Sequence, residues 1–244
     1  MMITPVVYIE GNIGSGKSTL VPVLAEKLGV GFSLEAVGEW NKVKDSSGVT
    51  MLAKFYSSME RYAYAFQSLA FLSRVEAIDN FDDKENTIVE RSIYADREVF
   101  AKNCMESGIL DSAEWKIYCK WFDWCHTHIP THVKSDNCLF VYIRTSPEVC
   151  LDRIRIRNRE GEEDIDLPYL QSVHDKHEQW LNSLPNAIIV NGNEPTDKVV
   201  EKIVEKLSSK SCYRSSTVQI LKSVFNSTML YILYNIGLYT KWIC

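Results

Sequence analysis

Several features of secreted, membrane and nucleic-acid-binding proteins are missing from this sequence. Its seven cysteines are an odd number and none lies in a C-x-x-C pair, so we expect reduced thiols in an intracellular compartment. The first residues, MMITPVV, lack the basic and then apolar pattern of a signal peptide, which predicts a cytoplasmic location. Acidic residues outnumber basic ones by 32 to 27, and the net charge of −5 argues against a nucleic-acid partner.

What is present is the composition of an ordinary globular domain. Hydrophobic residues make up 45% of the 244-residue chain and charged residues 24%, and the sequence carries no internal repeat. A chain of this length buries enough apolar surface for one core. Composition therefore predicts one folded domain, and local motifs must indicate its function.

The most informative motif lies in residues 6–20, VVYIEGNIGSGKSTL, which read as a buried strand, a glycine-rich loop and a helix start. The pattern G-x-x-x-x-G-K-[ST] is typical of a loop whose backbone N–H groups surround phosphate oxygens. Lys17 adds a cation near the β- and γ-phosphates, and Ser18 is placed to hold Mg²⁺. A plain glycine-rich turn is the alternative, but the apolar run before the loop favours a nucleoside triphosphate site. Its predicted members are Gly11, Asn12, Ile13, Gly14, Ser15, Gly16, Lys17, Ser18 and Thr19.

Short apolar runs alternate with longer helical patterns along the rest of the chain. Further strands are predicted at residues 30–34, 87–89, 138–143 and 187–190, helices at 18–28, 51–81, 112–128 and 196–207, and a loop at 38–50. This alternation predicts an α/β fold, a five-stranded parallel sheet with helices on both faces. Such sheets bind ligands outside the carboxyl ends of their strands, which here carry Gly11, Glu35, Glu90, Arg91 and Arg144.

The charged residues at these strand ends are candidates for catalysis. Glu35 either meets metal or substrate, or is a surface carboxylate just past a strand. The adjacent Glu90 and Arg91 are awkward to bury unpaired, which indicates a ligand or a metal; a structural ion pair is the alternative.

An arginine-rich segment covers residues 151–163, LDRIRIRNREGEE. Arg153 and Arg157 are four residues apart, as are Arg155 and Arg159, so each pair would share one face of a helix. Forked guanidinium groups suit phosphate oxygens, and together with the triphosphate loop they predict a lid that closes over the nucleotide. A solvated basic helix balanced by neighbouring acids is the alternative.

Several short motifs together resemble one enzyme family. They are GNIGSGKST, EAVGEW at 35–40, ER at 60–61, FQ at 66–67, LSR at 72–74, ERS at 90–92 followed by Tyr94, Asp96 and Arg97, the arginine-rich segment, and HDKHEQWL at 174–181. Across about residues 5–207 the chain resembles the deoxyribonucleoside kinases, in particular their deoxycytidine and deoxyguanosine kinase branch. The resemblance implies a P-loop kinase fold with an arginine-rich lid, a kinase domain at residues 1–208, ATP as phosphate donor, Mg²⁺ and a homodimer.

The resemblance implies that Glu35, Arg91 and Lys17 are the catalytic residues. Glu35 resembles the general base that takes the proton of the deoxyribose 5′-hydroxyl. Arg91 resembles the arginine that steadies this hydroxyl and the transferring phosphoryl group. Glu90 helps Ser18 to hold Mg²⁺, and the lid positions that contact ATP are Arg153, Arg157 and Arg159.

The resemblance also implies the nucleoside pocket. Tyr56 and Glu162 match the pair that hydrogen-bonds the 3′-hydroxyl, and Gln67 matches the residue that reads the base edge. Aromatic side chains pack around the ring; these are Trp40, Phe66 and Phe100. Ordinary core packing is the alternative for Tyr56, Phe66 and Phe100.

The base preference follows from the residues near Gln67. Gln67, Ala70 and Arg74 lie at i, i+3 and i+7, so one helical face presents an amide, a gap and a cation. Arg74 with Asp96 resembles the pair of the deoxycytidine and deoxyguanosine kinase branch, which favours deoxycytidine and purine deoxynucleosides over thymidine. A structural salt bridge between them, and a thymidine-preferring or broad specificity, are the alternatives.

Three positions depart from the family pattern. Ala36 replaces a proline that often follows the catalytic glutamate, and Gly161 replaces an acidic lid residue, which leaves Glu162 and Glu163 both open as partners of the 3′-hydroxyl. Residues 209–244 form an extra tail. The tail is expected to dock on the body or on a dimer partner, to touch a membrane surface, or to be disordered or the product of an altered reading frame.

Two other functions remain as alternatives. A nucleoside monophosphate kinase would need a monophosphate pocket with its own arginines, whereas Gln67 and the 3′-hydroxyl pair favour a nucleoside. A non-catalytic subunit should have lost essential groups, but Lys17, Glu35, Glu90 and Arg91 are all present. We therefore predict an ATP-dependent deoxynucleoside 5′-kinase of nucleotide salvage.

Overall fold

Five strands form one sheet at the centre of the molecule. The computed structural model describes residues 6–79 and 87–209. The strands are β1 (Val7–Glu10), β2 (Gly31–Ser33), β3 (Thr87–Glu90), β4 (Leu139–Arg144) and β5 (Ala187–Asn191), in the order β2-β3-β1-β4-β5. All four pairings are parallel, with Val7 opposite both Ile88 and Leu139. The carboxyl ends of the strands therefore meet at one edge, as the sequence predicts.

Helices connect consecutive strands. They are α1 (Lys17–Leu28), α2 (Val37–Trp40), α3 (Met51–Ser57), α4 (Met59–Asp79), α5 (Ile93–Ala95), a π-helical stretch (Asp96–Ala101), α6 (Lys102–Glu106), α7 (Ser112–His128), α8 (Pro147–Arg157), α9 (Leu167–Leu181) and α10 (Thr196–Ser209). Two 3₁₀ turns, Thr131–Val133 and Ser135–Asn137, precede β4. The helices at 112–128 and 196–207 are thus confirmed, the second two residues longer than predicted.

The two faces of the sheet bury separate apolar clusters. Successive side chains of a strand point to opposite faces. Val7 and Ile9 of β1 pack with Leu24 of α1 and Ile203 of α10, whereas Tyr8 packs with Phe140 among residues of α3, α4 and α7. Helices therefore cover both faces, and the predicted fold class is confirmed.

The prediction of one long helix at residues 51–81 is wrong, because this segment forms two helices. It is divided into α3 and α4 at Ser58, whose φ of −157° and ψ of 75° are not helical. Neither glycine nor proline marks this break. The predicted loop at 38–50 also begins with the one-turn helix α2, and its last residue, Thr50, caps α3 by accepting a hydrogen bond from the N–H of Ala53.

The predicted C-terminal tail falls almost entirely outside the described residues, which end at Ser209. Its docking, its membrane contact and the domain boundary at 208 stay predictions. No helix within residues 6–79 and 87–209 is long and apolar enough to cross a membrane. The cytoplasmic location likewise stays a prediction.

Candidate active site

A cavity of about 430 Å³ opens at the carboxyl edge of the sheet. It runs from the glycine-rich loop after β1 to helices α3 and α4. Its lining includes these predicted site residues: Ile13, Gly14, Ser15, Gly16, Lys17, Ser18, Thr19, Glu35, Trp40, Tyr56, Phe66, Gln67, Arg74, Glu90, Arg91, Asp96, Phe100, Arg153, Arg157, Arg159 and Glu162. Gly11 and Asn12, the first residues of the loop, do not line the cavity, and neither does Arg144, which pairs with Glu178.

The glycine-rich loop leads directly into α1. Gly16 precedes the helix with a φ of 94°, a backbone conformation that glycine adopts without strain. Lys17 is buried, and its Nζ donates hydrogen bonds to the carbonyl oxygens of Gly11 at 3.1 Å and Asn12 at 2.9 Å. Burial, and then the charge of Arg91, lower the pKa of Lys17 to about 8. The loop thus holds a cation at the position where phosphate oxygens would compensate for its burial.

Two oxygen-bearing side chains meet beside the loop. Ser18 Oγ donates to Glu90 Oε1 at 2.8 Å, and the backbone N–H of Glu35 donates to Glu90 Oε2 at 3.3 Å. Glu90 is buried, at the end of β3. The hydroxyl and the carboxylate therefore lie together at the start of α1, as predicted for a pair of metal ligands.

A buried ion-pair network holds Glu35. Its Oε1 accepts hydrogen bonds from Arg74 Nη2 at 2.8 Å and from Arg91 Nε at 3.0 Å. Arg74 Nε also donates to Asp96 Oδ2 at 2.7 Å. Burial opposes the charge of Glu35, but the guanidinium groups of Arg91 and Arg74 outweigh it and hold the pKa well below its usual range. Glu35 is therefore an ionised, oriented carboxylate.

The inner end of the cavity is aromatic and contains an amide. Trp40 and Phe66 meet edge to face at 5.4 Å, and Trp40 Nε1 donates to Ser73 Oγ at 2.9 Å. Gln67 is buried on the α4 face next to this aromatic pair. On the other side, the ring of Phe100 lies 4.5 Å from the guanidinium carbon of Arg91. A flat heteroaromatic ring fits between these aromatic walls.

A widened helical turn brings two of these residues into the cavity. Asp96 and Phe100 both belong to the π-helical stretch Asp96–Ala101. Such stretches are rare and often occur at functional sites. Here the stretch places a carboxylate beside Arg74 and a ring beside Arg91.

The arginine-rich segment contacts the cavity through three arginines. Arg153 Nη1 donates to the carbonyl of Ser15 at 3.1 Å. Glu162 accepts from Arg157 Nη2 at 2.5 Å and from Arg159 Nη1 at 3.1 Å. Glu162 is buried and lines the cavity, whereas Glu163 is exposed, so Glu162 is the acid that faces the site.

The predicted common helical face of Arg155 and Arg159 is wrong. Helix α8 ends at Arg157 because Asn158 adopts a left-handed conformation with a φ of 49°. The chain then turns, so that Arg159 points to Glu162 while Arg155 is exposed. Gly161 follows with a φ of 86°, and a Cβ there would lie 3.1 Å from the backbone of Ala53. The glycine therefore lets this segment pack closely against α3.

Comparison with known proteins identifies the family. A family model described as deoxynucleoside kinase matches residues 7–222. The chain belongs to the deoxynucleoside kinase family. Deoxycytidine kinase 2 of Gallus gallus is 38% identical over 196 residues, covering 72% of this chain and 73% of the relative. Deoxycytidine kinase of Homo sapiens is 35% identical over 196 residues, covering 72% and 74%. The mitochondrial thymidine kinase 2 of Homo sapiens is 32% identical over 176 residues, covering 72% and 64%.

These comparisons confirm the family resemblance and the enzyme class. The protein is a deoxynucleoside kinase that phosphorylates deoxynucleosides, with ATP as the phosphate donor that the family implies. A non-catalytic role and a nucleoside monophosphate substrate are therefore set aside. The roles of individual residues rest on the geometry described above.

Some residues of this kinase site were not identified from the sequence. Gly192, Glu194 and Thr196, which follow β5, line the end of the cavity near Arg153, and Tyr169 of α9 lines it near Tyr56. Parallel sheets bind ligands outside the carboxyl ends of their strands, and this signal, which points to Glu35 after β2, points equally to Gly192 and Glu194 after β5. Tyr169 carries no such signal, because its helix pattern indicates only packing.

Proposed function

We propose that this kinase transfers the γ-phosphoryl group of ATP to the 5′-hydroxyl of deoxycytidine and purine deoxynucleosides in nucleotide salvage. The observation that carries the proposal is the chain of buried contacts from Asp96 through Arg74 to Glu35, which joins the base pocket to the reaction centre. The names of the deoxycytidine kinase relatives support the same preference.

The base preference follows from donors and acceptors at the inner end. Asp96 offers a carboxylate that can accept from the exocyclic amino group of cytosine or adenine, and Arg74 offers a donor for a ring nitrogen or carbonyl. Small, buried Ala70 leaves space beside them. Thymine carries a carbonyl oxygen where cytosine carries its amino group, so Asp96 would face an acceptor without a proton between them.

In the transfer step, the 5′-oxygen forms a bond to the γ-phosphorus while the bond from this phosphorus to the β–γ bridging oxygen breaks. Ionised Glu35 accepts the proton of the 5′-hydroxyl, and ADP leaves. The Nη1 of Arg91 is buried and has no hydrogen-bond partner among the described residues, so it is available to the transferring group. Positioning and charge neutralisation are the main demands of phosphoryl transfer.

Ser18 and Glu90 fit Mg²⁺. Their oxygens lie 2.8 Å apart beside the phosphate loop, and Mg²⁺ is usually held by one or two protein oxygens together with substrate phosphates. When bound, Mg²⁺ would neutralise charge on the β- and γ-phosphates.

The 3′-hydroxyl of the sugar is assigned to Tyr56 and Glu162. Both line the cavity, and burial together with the charge of Glu162 raises the pKa of Tyr56, which keeps it a neutral hydroxyl donor. Glu162 also holds Arg157 and Arg159. A sugar hydroxyl at Glu162 would therefore be linked directly to the lid arginines, which are proposed to contact ATP together with Arg153.

We further propose that the kinase is a homodimer. Ile117, Trp121 and Trp124 lie on one face of α7 and are 47%, 56% and 56% exposed, and Leu72 on the adjoining α4 is 53% exposed. Exposed apolar patches with two tryptophans are typical of protein interfaces. A second copy would cover this face without a further partner.

The substrate proposal is tested by initial rates of phosphate transfer from Mg-ATP to deoxycytidine, deoxyguanosine, deoxyadenosine and thymidine. Higher kcat/KM for the first three is expected, and Asp96→Asn should reduce the preference for deoxycytidine over thymidine by about tenfold. A preference of the unmodified enzyme for thymidine would contradict the assignment of Arg74 and Asp96.

A further inference from the structure

Glu10 is a buried carboxylate with no role in the proposed reaction. It ends β1 directly before the phosphate loop and is 0% exposed. Its Oε1 accepts a hydrogen bond from the backbone N–H of Ser92 at 2.9 Å, and its Oε2 has no hydrogen-bond partner among the described residues. An incompletely satisfied carboxylate in the interior is costly, although an apolar residue in its place would leave the N–H of Ser92 unpaired. Its presence therefore indicates a requirement other than packing.

The segment that Glu10 contacts has a strained backbone. Arg91 adopts a φ of 65°, in the left-handed region that residues other than glycine rarely occupy. The N–H of Arg91 donates to the carbonyl of Ile9 at 3.0 Å, and the next N–H, that of Ser92, donates to Glu10. Consecutive residues at the end of β1 thus hold the two peptide N–H groups on either side of the Arg91 Cα. Strained conformations persist where the surroundings over-determine them in this way.

This backbone conformation sets the direction of a reactive side chain. From it, Arg91 Nε reaches Glu35 Oε1 at 3.0 Å and the guanidinium carbon lies 4.5 Å from the centre of the Phe100 ring. Glu90, the residue before it, faces Ser18 instead. A relaxed backbone at Arg91 would move the guanidinium away from Glu35.

We propose that Glu10 is a positioning residue, whose carboxyl oxygen locks the backbone of Arg91 in the conformation that aims its guanidinium at the transferring phosphoryl group. The inference rests on the role given to Arg91 under the proposed function. Because Glu10 is followed directly by Gly11, one strand end fixes both the phosphate loop and the arginine that acts on the phosphate.

The chemistry of the contact predicts which substitutions are tolerated. Burial raises the pKa of Glu10, although the charge of Arg91 and the hydrogen bonds from Ser92 oppose this. The contact itself needs only an oxygen acceptor at that distance, which glutamine retains. Methionine fills similar space but leaves the N–H of Ser92 unpaired, and aspartate withdraws the oxygen by one methylene.

The test compares kcat and KM for deoxycytidine and Mg-ATP in the full chain with Glu10→Gln, Glu10→Met, Arg91→Ala and the double variant Glu10→Met/Arg91→Ala. Glu10→Met is expected to lower kcat at least about tenfold with KM for Mg-ATP within about threefold, whereas Glu10→Gln stays within about threefold of the unmodified kcat. In the Arg91→Ala background, Glu10→Met should change kcat less than about twofold, because its target is gone.

Three results would overturn the proposal: unchanged kcat in Glu10→Met, equal losses in Glu10→Gln and Glu10→Met, or equal losses from Glu10→Met with and without Arg91. If Arg91→Ala is itself fully active, the proposed role of Arg91 fails first and the two failures are distinguished. Glu10→Asp is the second variant if Glu10→Met does not fold; it should lose kcat comparably, and retained kcat overturns the proposal.

Independently, Arg91→Gly should melt at a higher temperature than Arg91→Ala, and the reverse order would contradict a left-handed backbone held at this position.

Discussion

Arg74 Nη2 donates to Glu35 Oε1 at 2.8 Å, so the arginine proposed to read the base also holds the carboxylate proposed as the general base. The same oxygen accepts from Arg91, and Arg74 in turn is held by Asp96. All four side chains are largely buried, where ion pairs are weakly screened. With the proposed roles of these residues, base recognition and proton acceptance are parts of one network.

The first prediction concerns Arg74. Arg74→Gln should lower kcat with deoxycytidine by about tenfold or more, because Glu35 loses one of its two orienting donors. Gln67→Ala removes the proposed contact with the base but no hydrogen bond to Glu35, and it should act mainly on KM for the nucleoside. Steady-state kinetics of the two variants separate these effects. An Arg74→Gln enzyme with unchanged kcat would show that the network does not support the reaction.

The second prediction concerns the stability cost of Lys17. Its pKa is lowered from 10.5 to about 8 in the folded protein, a cost on the order of 3 kcal/mol while the lysine is charged. Lys17→Met should abolish phosphate transfer and yet raise the melting temperature of the nucleotide-free protein near pH 7, although the lost hydrogen bonds to Gly11 and Asn12 offset part of the gain.

The pH dependence of this cost has a definite sign. Between pH 8 and pH 10.5 the unfolded chain binds more protons at Lys17 than the folded chain, so the unmodified protein gains stability as pH rises. The advantage of Lys17→Met over the unmodified protein should therefore shrink across this interval. Thermal melts that show a constant difference from pH 7 to pH 10 would contradict the prediction.

The third prediction concerns the contribution of Glu35 to the stability of the protein at acidic pH. The pKa of Glu35 lies below its ordinary value of 4.5, so its contribution to stability is complete above that pH and is lost as pH falls toward the folded value. Glu35→Gln should therefore reduce the change in the free energy of unfolding with pH in this range. Denaturant unfolding between pH 6 and pH 3 measures it, with the exposed Glu39→Gln as a matched control. Parallel curves for the Glu35→Gln and unmodified proteins would argue against the ion-pair network.

The fourth prediction concerns the surface of α7. Trp121→Glu should convert the proposed dimer to monomers in sedimentation velocity, because the substitution places a charge in the apolar contact. Ile156→Glu is the matched control, since Ile156 is 85% exposed on α8, away from α7. A dimer that survives Trp121→Glu, or a monomeric unmodified enzyme, would exclude this interface.

Much of the fold could be predicted from the alternation of short apolar runs with longer helical patterns in the sequence. Strands β1 and β3 are short apolar runs whose ends lie directly beside candidate site residues, and β3, which ends at Glu90, ends within one residue of its prediction. The break at Ser58 and the π-helical stretch at Asp96–Ala101 could not be predicted, because neither glycine nor proline marks them in the sequence.

The candidate site was predictable where a residue type and a strand end coincide, as at Glu35. It was not predictable where function depends on backbone geometry. Nothing in the letters ERS indicates that Arg91 has a positive φ, and Glu10 looks like one more residue of the phosphate motif. Likewise, the turn at Asn158 decides that Arg159 rather than Arg155 reaches Glu162.

The most direct measurement compares phosphate transfer from Mg-ATP to deoxycytidine by the unmodified enzyme and by Glu35→Gln, with deoxycytidine binding measured separately by calorimetry. We expect deoxycytidine monophosphate and ADP to form in equal amounts. We also expect a loss of kcat of at least about a hundredfold in Glu35→Gln, with nucleoside affinity little changed. A Glu35→Gln enzyme that retains kcat would contradict the assignment of Glu35 as the base on which the account depends.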